Sequence, residues 1–138
     1  DFVLRLSRGN AVRYLILDAK YSRRGSVIKH SLPKLLYKYC NGLAAFDANN
    51  GIYTSEPIVG VFAVYALDQH GSHYANFWNG HAPMNPVVRL PMLGGIGLMI
   101  DNDTHFNRYI AAALAIARRL LGQNHPSAST IALQTARA

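Results

Sequence analysis

Residues 1–6 alternate in hydropathy, Ser7-Arg8-Gly9-Asn10 interrupts the pattern, and 11–21 is a second β-rich run, so two strands joined by a tight turn are predicted. With Gly9-Asn10 as a two-residue loop, and Gly supplying the positive φ of a primed turn, the pairs are Ser7 with Val12, Arg5 with Tyr14, Val3 with Ile16 and Asp1 with Asp18. Opposite residues share a face, which puts Phe2, Leu4, Leu6, Leu15 and Leu17 on the side expected to be buried. The other side carries Asp1, Val3, Arg5, Tyr14, Ile16, Asp18 and Lys20. Asp1, Asp18 and Lys20 therefore gather at one end of the hairpin, where no packing argument requires them.

Residues 21–29 read as a flexible basic loop around Arg23 and Arg24. Ser31 is the expected cap of a helix over about 31–41, with Pro33 in its first turn and Gly42 as its stop. Leu32, Leu35, Leu36, Tyr39 and Leu43 form its apolar stripe, with Lys34, Lys38 and Asn41 opposite. The polar stretch 47–51 precedes a strand at about 58–67, and a fourth apolar run lies near 96–101; both are expected in the middle of a sheet. Between them 68–89, rich in His, Asn, Gly and Pro, is an insertion, lid or binding segment. Asp103 or Thr104 caps a helix reaching about residue 121 and stopping at Gly122, with Phe106, Ile110, Ala113, Leu114 and Ala117 as its core stripe. The expected division is a domain over 1–122 and a C-terminal tail over 123–138.

At 138 residues the chain is one domain by length, able to bury roughly two-thirds of its unfolded surface. Its 50% apolar and 15% charged composition excludes a disordered chain, and its apolar runs fall well short of the ~20 residues of a membrane span. The single cysteine, Cys40, excludes an internal disulfide and leans toward the cytoplasm; on a mostly apolar helix it reads as core. Because the chain starts with Asp, it reads as part of something longer. The net charge of +7 makes a polyanion the first expected partner, since basic surface gains affinity by displacing counterions from phosphate. Carboxylates on such a surface need a reason.

Asp18-Ala19-Lys20 places a carboxylate and an ammonium on one face of a strand, with Asp1 opposite. Two converging carboxylates make a hard oxygen site suited to Mg²⁺ or Mn²⁺, and a neighbouring lysine can orient the attacking water and offset charge at phosphorus. A cross-strand salt bridge is the competing account. The order acidic residue, hairpin, hydrophobic strand ending in Asp-x-Lys, helix with basic and tyrosine residues, and second apolar strand resembles the PD-(D/E)XK nuclease superfamily over about residues 1–67, and the stretch Tyr14-Leu15-Ile16-Leu17-Asp18-Ala19-Lys20-Tyr21 looks like its restriction-type members. The resemblance implies a restriction-endonuclease-like α/β fold, a mixed sheet flanked by helices, with the family's opening helix and strand falling ahead of Asp1.

It also implies a Mg²⁺- or Mn²⁺-dependent nuclease, the hydrolytic part of a larger DNA-defence or repair protein, with Asp1 and Asp18 as metal ligands and Lys20 positioning the water. DNA or RNA is the implied partner, held by Arg23, Arg24, Lys29, His30, Lys34 and Lys38; of these His30, Lys34 or Lys38 would take the helix's polar place at the site. A homo-oligomer and further domains of a longer chain are compatible with it; a membrane is not. Two other readings are a nuclease-like domain that binds nucleic acid without cutting it, and an interaction domain of a larger assembly.

Elsewhere the signals are weaker. His70, His73 and His81 could hold zinc but lack Cys or carboxylate partners. Tyr74, Phe77, Trp78 and Asn79 could stack on bases, with Arg89 near phosphate, or form a small core under a long loop. Gly94-Gly95-Ile96-Gly97 departs from phosphate-loop spacing, and close strand packing accounts for it better. Arg118-Arg119 suit a helix C-terminus.

Overall fold

In a computed structural model, which describes residues 1–21, 23–41, 44–47, 50–67, 74–99 and 101–122, strands β1 (Phe2–Arg8) and β2 (Ala11–Lys20) pair antiparallel in the register expected from the turn, Ser7 with Val12, Arg5 with Tyr14 and Val3 with Ile16. Gly9 makes this possible at φ 57, a conformation that costs a residue without Cβ little. The tail over 123–138 lies outside the described residues.

Two further strands continue the sheet from β2. β5 (Ile58–Ala66) pairs parallel with β2, and β7 (Met92–Leu98) parallel with β5. The short β6 (Ala75–Phe77) closes the far edge antiparallel to β7, giving the order β1-β2-β5-β7-β6. The architecture is α/β with a mixed five-stranded sheet. β3 (Ala45–Asp47) and β4 (Ile52–Thr54) form a separate hairpin around the polar stretch.

Parallel neighbours need a crossover, and residues 24–41 supply it as one continuous helical segment, α1. The expected loop over 21–29 is corrected here: Arg23 is the N-cap, with extended backbone, and Ser31 lies inside the helix. Pro33 explains the internal irregularity. Its ring cannot sit against the carbonyl four residues back and it donates no hydrogen bond. Wider π-helical turns, Val27–Ser31 and Leu36–Asn41, flank the α-turn Leu32–Leu35 that contains it. α2 (Thr104–Gly122) starts where expected, with the Thr104 amide donating to Asn102 Oδ1.

The two helices cover opposite faces of the sheet. Ile16, Val61, Ala63, Tyr65 and Leu93 pack with Val27, Leu32, Leu35 and Tyr39 of α1. Leu15, Val59, Phe62, Met92 and Ile96 pack with Ala113, Ile116 and Ala117 of α2. The expectation that only one side of the first hairpin is buried therefore fails. β2 is an internal strand covered above and below, so Leu15, Ile16 and Asp18 are all buried, whereas β1 is an edge strand with Phe2, Val3 and Leu4 exposed. A register shift opposite Tyr14 and Leu15 leaves Val59 as the extra residue of a bulge, which is why Ile58 and Val59 face different clusters from the ones strict alternation with Val61 would give.

The segment expected as an insertion is partly sheet. In its described part, Phe77 packs edge-on to Phe62 at 5.9 Å and against Tyr109 at 5.4 Å, and Trp78 lies on the α1-side cluster. Tyr74 stacks on His105 at 3.7 Å. These rings belong to the core and its margins, which replaces the base-stacking account. β7 begins at Met92 rather than near 96 because its glycines mask it as a strand. At Gly94 a Cβ would collide with the Phe77 ring and lie 2.6 Å from the Asn76 carbonyl, so close strand packing is what the glycine permits.

Candidate functional site

The carboxyl ends of the parallel strands are where open α/β sheets place their ligands, and there β2 delivers Asp18 and, two residues on, Lys20 to the α1 face. Asp18 is 3% exposed, the one buried charged residue among those described. A buried carboxylate must be neutralised or hydrogen-bonded. Lys20 Nζ lies 2.9 Å from its Oδ1, and the Tyr39 hydroxyl stands 3.4 Å from its Oδ2. Asp1, brought alongside by the hairpin, accepts a hydrogen bond from the same Tyr39 hydroxyl on its Oδ2. Lys38 Nζ pairs with that oxygen at 3.0 Å. One phenol oxygen thus lies between two carboxylates, each with its own lysine.

Asp1, Asp18 and Lys20, predicted together, are brought together. Tyr39 was assigned to the apolar stripe, and its ring is there, 5% exposed in the α1-side cluster. The signal that could have found it is that a buried tyrosine hydroxyl needs a polar partner. Lys38 was placed on the outer basic face and also named, with His30 and Lys34, as a candidate for the helix's polar place at the site. Although exposed, it turns onto Asp1 and over the Tyr39 ring, 4.5 Å from its centroid. The π-helical turn Leu36–Asn41 is the reason two sequence neighbours reach one site. The Lys38 ammonium is held above the ordinary lysine range, first by hydrogen bonding with Tyr39 and further by the charge of Asp18, against desolvation.

The other basic residues divide. Arg23, Lys29, His30 and Lys34 are exposed on α1 or at its start. Arg24 is half-buried and acts electrostatically on the Tyr65 hydroxyl, which corrects its assignment to a solvent-facing basic loop. His70 and His73 lie outside the described residues, while His81 spends Nδ1 on the Pro91 carbonyl at 2.8 Å. The side chain of Cys40 is also outside those described.

Among the described residues no group of three or more His, Cys, Asp or Glu side chains could hold a metal. Asp1 and Asp18 nevertheless supply two hard oxygens at one point, and Mg²⁺ is commonly bound through one or two carboxylates, with waters and substrate phosphate completing its shell. The donor set fits such an ion in kind. No helix among the described residues is long and apolar enough to cross a membrane. Comparison with protein families, with curated proteins and with solved structures finds no match.

Proposed function

We propose that this chain is a metal-dependent nuclease that hydrolyses DNA phosphodiester bonds, with a restriction-endonuclease-like fold of the PD-(D/E)XK kind. The observation that carries the reading is the buried Asp18 carboxylate, shared between Lys20 and the Tyr39 hydroxyl that also holds Asp1. Burying a charge on an internal strand is unfavourable, and hydrophobic packing would fill the same place more cheaply. A carboxylate kept there calls for a task.

Asp1 and Asp18 would hold Mg²⁺ or Mn²⁺, and Tyr39 keeps the two carboxylates together. When bound, the ion supplies polarisation of a phosphoryl oxygen and a lowered pKa for a coordinated water. Lys20, about one-third exposed at 29%, reaches from Asp18 toward solvent, where its ammonium orients a water and offsets negative charge at phosphorus. Arg23, Lys29, His30 and Lys34, on the outer surface of a chain of net charge +7, hold backbone phosphates.

A nicking assay with Mg²⁺ or Mn²⁺, run beside fluorescence anisotropy, tests this. Wild type should cut DNA. Asp18→Asn and Lys20→Ala, checked for folding by circular dichroism, should lose cutting and keep most of the affinity, because the basic surface does the holding. Unchanged cleavage in either variant overturns the reading. One observation favours the second reading, a nuclease-like domain that binds without cutting: each carboxylate is already neutralised by a lysine. That reading expects DNA binding with no metal-dependent nicking in wild type.

A further inference from the structure

Two carboxylates that share one phenol repel each other, and each is answered by a lysine, but the two lysines are differently placed. Lys20 answers a carboxylate that is almost dry, and giving that contact up would leave Asp18 charged and unsolvated. Lys38 answers Asp1 at the rim. Its side chain is 58% exposed and that of Asp1 41%, so water can solvate both when they part. An exposed ion pair of this kind contributes little to stability. Lys38 also meets Asp1 through one oxygen only, Oδ2, which accepts from the Tyr39 hydroxyl as well, and Oδ1 takes neither donor. The Tyr39 ring lies 4.5 Å from the ammonium, and its π face attracts the cation without help from Asp1.

Lys38 and a divalent cation compete for Asp1. Oxygen ligation brings an ion such as Mg²⁺ to about 2.0–2.1 Å from the carboxylate, and an ammonium on the same group would then face a double positive charge at close range. Tyr39 is different, because a hydroxyl carries no charge and can keep its place between the carboxylates. We propose that Lys38 is an exchangeable counter-ion of Asp1: it neutralises the carboxylate in the metal-free protein and gives it up when a divalent cation binds, so that it sets the metal affinity of the site. This rests on the nuclease reading for Asp1 and Asp18 as metal ligands. The two lysines, which taken together favoured a domain that binds without cutting, then divide into a fixed partner of Asp18, Lys20, and a replaceable partner of Asp1, Lys38.

The test reads metal binding and needs no cleavage. Mn²⁺ is titrated into the full chain at constant pH and salt, and the free ion is followed by electron paramagnetic resonance. Lys38→Gln, at an exposed position and checked for folding by circular dichroism, should raise the Mn²⁺ affinity by about tenfold, the scale of a unit charge acting through water on a divalent ion a few ångströms away. Lys38→Arg keeps the charge and should stay close to wild type. Arg118→Gln removes the same charge from the exposed surface of α2, across the sheet, and should also stay close to wild type. In an Asp1→Asn background Lys38→Gln should bring no gain, because the carboxylate it would free is no longer there. An unchanged or lower affinity in Lys38→Gln, or an equal gain in Arg118→Gln, overturns the exchange and leaves the metal reading standing. Absence of Mn²⁺ binding from both wild type and Lys38→Gln removes the nuclease reading itself, whereas binding by Lys38→Gln alone supports the competition in its strongest form.

Discussion

A carboxylate with 3% exposure is tolerated only while its charge is answered, and Asp18 depends on Lys20 for most of that answer. Removing one partner of a buried pair is costly because the other is left charged and dry, whereas removing the charge itself is not. Lys20→Ala should therefore destabilise the fold by about 1–3 kcal/mol, less than the roughly 3–5 kcal/mol of a fully buried pair because Lys20 is partly solvated. Asp18→Asn should be neutral or stabilising, and the Asp18→Asn/Lys20→Ala double variant should recover most of what Lys20→Ala loses. Urea unfolding at pH 7 of the four proteins measures the coupling. Additive losses would mean the pair is not an interacting unit. At this scale the sequence was informative about Asp1, Asp18 and Lys20, because period-2 alternation and a two-residue turn place them by arithmetic. It was silent on Tyr39, whose ring obeys the apolar stripe while its hydroxyl does not. Lys38 it placed both on the basic face and among the candidates for the helix's polar place at the site, and the reach to Asp1 comes with a wider helical turn.

Strands and helices were legible where their periodicity is long. β2, β5 and α2 carry β-branched runs or a full amphipathic stripe, and they lie where the pattern puts them. The start of α1 was missed for a local reason: Arg24-Gly25-Ser26 has little helix propensity, and Ser31-Leu32-Pro33 imitates a cap followed by proline. β3, β4 and β6 have three residues each, too few to show a period. β7 was started too late, near 96, because Gly94, Gly95 and Gly97 interrupt its apolar pattern, although their role in close strand packing was legible. That gives a prediction for the element. A Cβ at Gly94 would meet the Asn76 carbonyl, which belongs to the neighbouring backbone and cannot rotate aside. Gly94→Ala should push β6 from β7 and destabilise by about 1–3 kcal/mol, as overpacking does. Hydrogen exchange should show the loss concentrated at Ala75–Phe77. Protection unchanged there would mean the strands accommodate the methyl group.

For the molecule as a whole, the mixed sheet lays three parallel strands side by side, and the carboxyl end of one of them, β2, carries Asp18 and Lys20, with Asp1 brought beside Asp18 by the first hairpin. The charge of +7 is spread differently from what the chain order led one to expect. Of the basic residues after Lys20, Lys38 is committed to Asp1 and Arg24 lies half-buried near Tyr65, so Arg23, Lys29 and Lys34 are the exposed cations of this stretch, with His30 beside them. If they touch phosphate, each contact adds about 0.9 to the dependence of log K on log salt for duplex DNA, without sequence preference. The Arg23→Ala/Lys29→Ala/Lys34→Ala variant should then flatten that slope by about 2.7. Its folding stability should hardly change, because exposed side chains without buried partners contribute little. Turnover at saturating DNA should be retained, since none of the three is assigned a chemical role. Anisotropy titrations from low to moderate salt on wild type and variant measure the slope directly. A slope left unaltered would move the nucleic-acid surface away from α1, because charge that releases no counterions on binding is not in contact with the phosphates.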